Sequence, residues 1–285
     1  MHRGNIMFLR KYLSIQKNRF KILFISSSFL SALLIFAQSA VATTVQFQTV
    51  MGDFTVNLYD KTTPKNVENF LAYVKAGAYT NSVIHRSIPE FVVQGGGYKY
   101  DTKFPLIDIP QNTAVINEPV YSNIRGTIAM AKLDGKPNSA TNQWFFNLKD
   151  NSKSLDINIG GSGGYTVFGE VTSNGMAIVD AMAALSTFNI DNAGLKSFPL
   201  KNYTKADGDN HVAITDKNLA LILGVVILDG SPDTASNLTP AKNTLINAPV
   251  DNGSSSGGGG GGGGSIGWMN VLLLLGFAFI SRSRR

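Results

Sequence analysis

Residues 83–97 read Val-Ile-His-Arg-Ser-Ile-Pro-Glu-Phe-Val-Val-Gln-Gly-Gly-Gly. Ile84, Arg86 and Ile88 recur at alternate positions. Beyond Pro89, Phe91 and Val93 fall on one face of a strand and Val92 and Gln94 on the other. Period two, broken by proline and closed by three glycines, spells two short strands around a tight bend. Arg86 is the misfit. A guanidinium beside an aromatic ring and a side-chain amide is costly on a half-buried sheet unless it has a polar task. This stretch alone leaves open an arginine on a solvent-facing edge strand.

Working outward, Thr44 to Tyr59 alternates as Val45-Phe47-Thr49 and Phe54-Val56-Leu58 around Met51-Gly52-Asp53, a β-hairpin signal. Thr63-Pro64 then opens a helix, with Thr as N-cap and Pro at its first position. Val67, Phe70, Leu71 and Val74 form its apolar stripe, and Gly77 ends it with a left-handed cap. A Pro-rich loop runs from Tyr100 to Pro119. Short strands follow at Gly126–Ala131 and around Gln143–Phe146, where Gln143 and Phe145 share one face and Trp144 and Phe146 the other. After a glycine-rich loop come the strand Tyr165–Val171 and a second amphipathic helix, Gly175–Leu185. Ser186–Asp216 reads as irregular and polar, and Leu219–Leu228 as a closing strand. Many short strands with a helix near each end spell a closed β-barrel capped by two helices.

The two ends of the chain are different in kind. Residues 1–42 hold a basic region, an apolar run from Ile22 to Ala37 and then Ala40-Val41-Ala42, the order of a secretory signal peptide. Residues 231–265 turn to Ser, Thr, Asn, Pro and Gly and end in an unbroken glycine tract, a flexible linker. Residues 266–285 are apolar and finish on Arg282, Arg284 and Arg285, the pattern of a membrane-inserted segment with its basic flank on the cytoplasmic side. Of 25 basic residues, nine lie in these two ends, which leaves 16 against 19 acidic residues between Ile22 and Ser281. The net charge of +6 is therefore topogenic and does not indicate nucleic-acid binding. The chain has no cysteine, which excludes thiolate chemistry, and only three histidines, which argues against a His-rich metal site.

Four blocks, in this order, resemble the cyclophilin-type peptidyl-prolyl cis-trans isomerases. They are His85-Arg86-Ser87-Ile88-Pro89-Glu90-Phe91-Val92-Val93-Gln94-Gly95-Gly96, Gly126-Thr127-Ile128-Ala129-Met130-Ala131, Gln143-Trp144-Phe145-Phe146-Asn147 and Val167-Phe168-Gly169-Glu170-Val171. The match runs from Thr44 to Leu228 and is nearest the bacterial, exported branch. It implies a closed eight-stranded antiparallel barrel over residues 43–230, capped by two helices. It further implies Arg86 as the catalytic residue, with Phe91, Val92, Phe145 and Leu155 as the wall of the proline pocket. Gln94 and Gln143 would orient Arg86 and the substrate backbone, Ala131 would line the groove for the residue before proline, and Tyr165 stands where eukaryotic members have histidine. Val92 replaces a usual methionine, Lys132 a common asparagine, and Ser154 a tryptophan that contacts cyclosporin in many eukaryotic members. Weak or absent cyclosporin binding is the expectation. The C-terminal segment resembles the glycine-rich GlyGly-CTERM sorting tails of some Gram-negative exported proteins.

The implied partners are proline-containing unfolded or exposed polypeptides, met by a monomer in the periplasm or cell envelope, tethered by its tail or released by processing. No cofactor is called for, since rotation about a peptide bond breaks no covalent bond. A non-catalytic prolyl-peptide chaperone or scaffold is the alternative. Without the family resemblance, Phe91, Phe145 and Leu155 read as ordinary core, and Gln94 and Gln143 read equally as cross-strand hydrogen-bonders. His85 reads as structural.

Overall fold

A computed structural model of the chain describes residues 43–172, 174–190, 193–230 and 238–248. The stretch read as a signal peptide (1–42) and the one read as a membrane-inserted segment (266–285) lie outside the described residues. Among the described residues no helix is long and apolar enough to cross a membrane.

The strands are β1 Thr44–Thr49, β2 Phe54–Leu58, β3 Ser82–Val83, β4 Arg86–Ile88, β5 Val92–Gly95, β6 Tyr98–Lys99, β7 Ile107–Asp108, β8 Thr127–Met130, β9 Trp144–Asn147, β10 Val167–Val171, β11 Ser186–Ile190, β12 Leu195–Leu200 and β13 Leu221–Asp229. The helices are α1 Pro64–Lys75, α2 Ser152–Leu155, α3 Gly175–Ala183 and α4 Lys205–Asp209. The hairpin read from residues 44–59 forms as β1–β2. Pro64 opens α1, although the Thr63 hydroxyl donates to the Tyr59 carbonyl instead of capping the helix. Gly77 takes φ +64° just beyond the helix, the left-handed step its position suggested.

Among the described residues, eleven strands make one antiparallel sheet in the order β4-β5-β9-β8-β10-β2-β1-β13-β3-β6-β7. Its end strands are β4 and β7, so the closed eight-stranded barrel expected from the sequence is replaced by an open sheet with more and shorter strands. The chain nonetheless passes from β3, near one end, to β4, at the other, through Ile84 and His85 alone. Two residues span about 10 Å at most. The sheet must therefore curl until its ends approach, and the two-residue strands there are too short to complete a ladder.

The concave side holds the main core. Phe47 stacks on Phe54 at 5.0 Å and meets Trp144 edge-on at 5.2 Å. Helix α1 adds Val67, Phe70, Tyr73 and Val74, and α3 adds Val179 and Met182. Residues 186–216, read as irregular, instead fold as the β11–β12 hairpin followed by α4. Phe198, Leu195 and Leu200 of that hairpin pack with Val83, Leu219 and Leu221.

Residues 238–248 belong to the stretch read as a flexible linker. They are held against the domain by backbone hydrogen bonds from Ser122 N to Ala241 O (2.8 Å) and from Asn243 N to Val120 O (2.9 Å).

Candidate active site

One row across the sheet brings several of the sequence-predicted site residues together. Arg86 of β4 lies opposite Gln94 of β5, Gln94 opposite Phe145 of β9, and Phe145 opposite Ala129 of β8. Directly paired residues on antiparallel strands share a face. A guanidinium, an amide, an aromatic ring and a methyl group therefore stand side by side on the convex face. Val93, Trp144 and Phe146 point the other way, into the core. With both faces covered, β5, β8 and β9 are buried at every position.

Val92, Ala131, Phe145, Leu155 and Tyr165 gather into one apolar cluster with Tyr59, Ala129 and Val167. The Tyr165 ring meets Phe145 edge-on at 5.8 Å. Phe91 packs against this cluster and not with Val93 in the core, contrary to the alternation expected of it. Glu90 takes φ +54°, and this left-handed step in the turn resets the phase before β5 begins. Nothing in the sequence marks a glutamate for that conformation. The Phe91 carbonyl is fixed by donors from Leu148 N (2.9 Å) and Asn151 Nδ2 (2.9 Å).

Arg86 Nη1 donates to Gln94 Oε1 at 3.1 Å, and Gln94 Nε2 donates to Gln143 Oε1 at 2.8 Å. Each amide spends its acceptor on one neighbour, so the guanidinium is aimed through two side chains. Gly97 makes room for this: a Cβ there would lie 3.0 Å from the Gln143 amide carbon. Burial lowers the Arg86 pKa, with Tyr165 acting in the opposite sense. An arginine starts so high that it stays charged. His85 is buried behind this group, and burial, followed by the Arg86 charge, lowers its pKa to about 4. Its imidazole is neutral at neutral pH and meets Tyr98 edge-on at 5.0 Å.

The sequence model of the family described as cyclophilin type peptidyl-prolyl cis-trans isomerase/CLD matches residues 44–204. The chain belongs to that family. It is 37% identical over 159 residues to the peptidyl-prolyl cis-trans isomerase of Acinetobacter baylyi, covering 55% of this chain and 81% of the relative. It is 40% identical over 146 residues to a Streptomyces antibioticus peptidyl-prolyl cis-trans isomerase (50% of this chain, 85% of the relative). Against peptidyl-prolyl cis-trans isomerase B of Escherichia coli it is 37% identical over 147 residues (50% and 85%).

Two further features of this cyclophilin site were not legible in the sequence. Lys132 is buried at the groove edge, where its Nζ donates to the Ser162 carbonyl and lies 4.8 Å from the centre of the Tyr165 ring. Burial pulls its pKa down to about 8, against a smaller upward effect of Asp134. Beneath the pocket runs a chain of buried amides. The Asp156 carboxylate accepts from Asn123 N (2.8 Å), Asn123 Nδ2 (2.9 Å) and the Ser122 hydroxyl. Asn147 Nδ2 donates to Asn123 Oδ1 (3.2 Å), and Asn151 Nδ2 donates to Asn147 Oδ1 (2.8 Å). Asn123 Nδ2 also reaches the Tyr165 carbonyl at 3.1 Å. The chain thus ends at the backbones of Phe91, Leu155–Asp156 and Tyr165, three segments of the pocket wall. Ser154, next to Leu155, is exposed at the rim. Among the described residues no three His, Asp or Glu side chains gather as a metal site.

Proposed function

We propose that this cyclophilin-type isomerase rotates X-Pro bonds of exported polypeptides, with Arg86 as its catalytic group. The observation that carries this is the Arg86 guanidinium, tied to Gln94 on the same sheet face as Val92 and Phe145 of the apolar cluster that Leu155 completes.

The barrier to be lowered is amide resonance, about 18–20 kcal/mol. Uncatalysed X-Pro exchange takes roughly tens to hundreds of seconds. The pyrrolidine ring seats on Phe91, Phe145 and Leu155, which remove it from water and lower the local dielectric. Gln143 and Ala131 hold the backbone before the proline, so the ring stays still while the preceding carbonyl swings. As the C–N bond twists, the proline nitrogen becomes pyramidal and its lone pair leaves conjugation. A fixed N–H donor from Arg86 bonds that nitrogen more strongly in the twisted state than in the planar one, and so favours the transition state. Proton transfer plays no part, consistent with a neutral, buried His85.

Export is supported by the basic, apolar, Ala-Val-Ala order of residues 1–42. The clients are then unfolded or exposed polypeptides in the periplasm or cell envelope. The enzyme reaches them tethered by residues 266–285 or released by cleavage near the glycine tract, as a monomer that binds cyclosporin weakly. Exchange spectroscopy on an Ala-Pro peptide with the wild type and Arg86→Ala tests the catalytic part. Intact mass of the protein from its own host tests the rest: a mature form that starts near Thr43 and ends near the glycine tract supports export with processing. Recovery of Met1 would remove the signal-peptide assignment.

A further inference from the structure

We infer that residues 238–248 form a strap that positions the wall of the proline pocket. The family match ends at residue 204, so this segment lies beyond it. Its attachment is specific. Tyr121 and Lys242 form an antiparallel bridge, flanked by the bonds from Ser122 N to Ala241 O and from Asn243 N to Val120 O. Leu238 packs against the apolar cluster that contains Val92, Phe145 and Leu155. The key contact is Asn243, whose Nδ2 donates to the Asp156 backbone carbonyl at 2.9 Å. Its Oδ1 accepts from Leu245 N at 2.9 Å, which folds the strap back on itself.

Asp156 is where such a contact has reach. It is fully buried, it follows Leu155 in the chain, and its carboxylate anchors the amide chain that ends at Phe91 and Tyr165. Hydrogen bonds in a low-dielectric interior reinforce one another, and removal of one member leaves a buried group unsatisfied. The strap therefore closes the outer end of a network whose inner ends set the pocket's width. It makes no contact with Arg86, Gln94 or Gln143 through these bonds, so it acts on where the proline ring sits and not on the rotation itself. Residues 43–230 would then lack part of their own binding site.

The test uses the full-length protein and an Ala-Pro model peptide. Asn243→Asp keeps the acceptor for Leu245 N–H and replaces the donor to Asp156 by a carboxylate oxygen that repels its carbonyl, and Asn243→Ala removes donor and acceptor without adding charge. The expected result for each is a rise in KM of about threefold to tenfold with kcat little changed, together with displaced Leu155 methyl resonances. Asn243→Gln, which can still donate, restores KM at least in part. Wild-type KM with unmoved Leu155 methyls in Asn243→Asp overturns the proposal. So does a loss of kcat alone, including an apparent one that only follows the folded fraction while KM stays at the wild-type value. The methyl shifts need no turnover, so they decide the strap even if the wild type were inactive in the assay, an outcome that would count against the isomerase reading alone.

Discussion

Arg86 and Gln94 are bound to each other twice over: they are direct partners in the β4–β5 ladder, and their side chains share a hydrogen bond of 3.1 Å. Backbone register and side-chain chemistry thus agree on where the guanidinium points. Arg86→Ala should lower the isomerisation rate enhancement by about 100-fold or more, the scale seen when one preorganised transition-state donor is lost. Arg86→Lys keeps the charge but not the planar fork and should recover little of it. Exchange NMR on an Ala-Pro peptide measures both, and full activity in Arg86→Ala would remove the mechanism.

Gln143→Leu deletes the acceptor of Gln94 Nε2 and leaves the Gln94 amide free to turn. The catalytic efficiency should fall about tenfold, roughly the worth of one or two hydrogen bonds. An unchanged kcat/KM would mean that Gln94 needs no help to aim Arg86.

His85 gives a pH dependence with a definite sign. Its folded pKa of about 4 lies below the ordinary value of 6.5, so the unfolded chain binds the extra proton first. The stabilisation is complete above pH 6.5 and is lost as pH falls towards 4. The loss is on the order of 3 kcal/mol. Urea titrations of wild type and His85→Gln at pH 7.5, 5.5 and 4.5 isolate this contribution, because carboxylate titration is common to both. Parallel stability curves for the two proteins would contradict it.

Gly95→Ala puts a methyl 2.7 Å from the Trp144 indole, which is itself wedged among Phe47, Tyr79 and Phe146. Overpacking of this kind costs about 1–3 kcal/mol. The methyl also pushes β5 from β9, so Gln94 and Phe145 should separate and KM should rise alongside the fall in Tm. Calorimetry and the peptide assay read the two effects.

Ser154 stands exposed on the pocket rim next to the buried Leu155. An indole there would cover apolar ligand surface, and Ser154→Trp should tighten cyclosporin binding by about tenfold or more. Fluorescence titration decides it, and nanomolar affinity in the unmodified protein would contradict the prediction.

The parts of this molecule that follow period-two or period-3.6 patterns were legible in advance. Val45, Phe47, Phe54 and Val56 announced the first hairpin, and Val67, Phe70 and Val74 the first helix. The short blocks name Arg86, Gln94 and Phe145 for the site, and the strand register brings these three into one row on one sheet face. Strand alternation groups Phe91 with Val93, whereas the block match groups it with Val92, Phe145 and Leu155, the cluster it packs against; its direction depends on a positive φ at Glu90, a choice made by the surrounding turn. The β11–β12 hairpin was hidden because its first strand, Ser186–Ile190, is largely solvent-facing and carries little apolar signal. The strap was hidden for a related reason: backbone hydrogen bonds, one asparagine and the packing of Leu238 hold it, and its sequence, Leu-Thr-Pro-Ala-Lys-Asn-Thr-Leu-Ile-Asn-Ala, has neither a strand nor a helix period. Sheet closure depends on how far two-residue strands can pair, and no sequence pattern reports that.

The pocket is assembled on the back of the same strands whose fronts line the core. Phe145 lies in the apolar cluster with Val92 and Leu155 while Trp144 and Phe146, its immediate neighbours, are held from behind by edge-to-face aromatic contacts. Selection for heat resistance and selection for client preference consequently draw on one set of backbone positions, and a lineage that adapts to one must renegotiate the other.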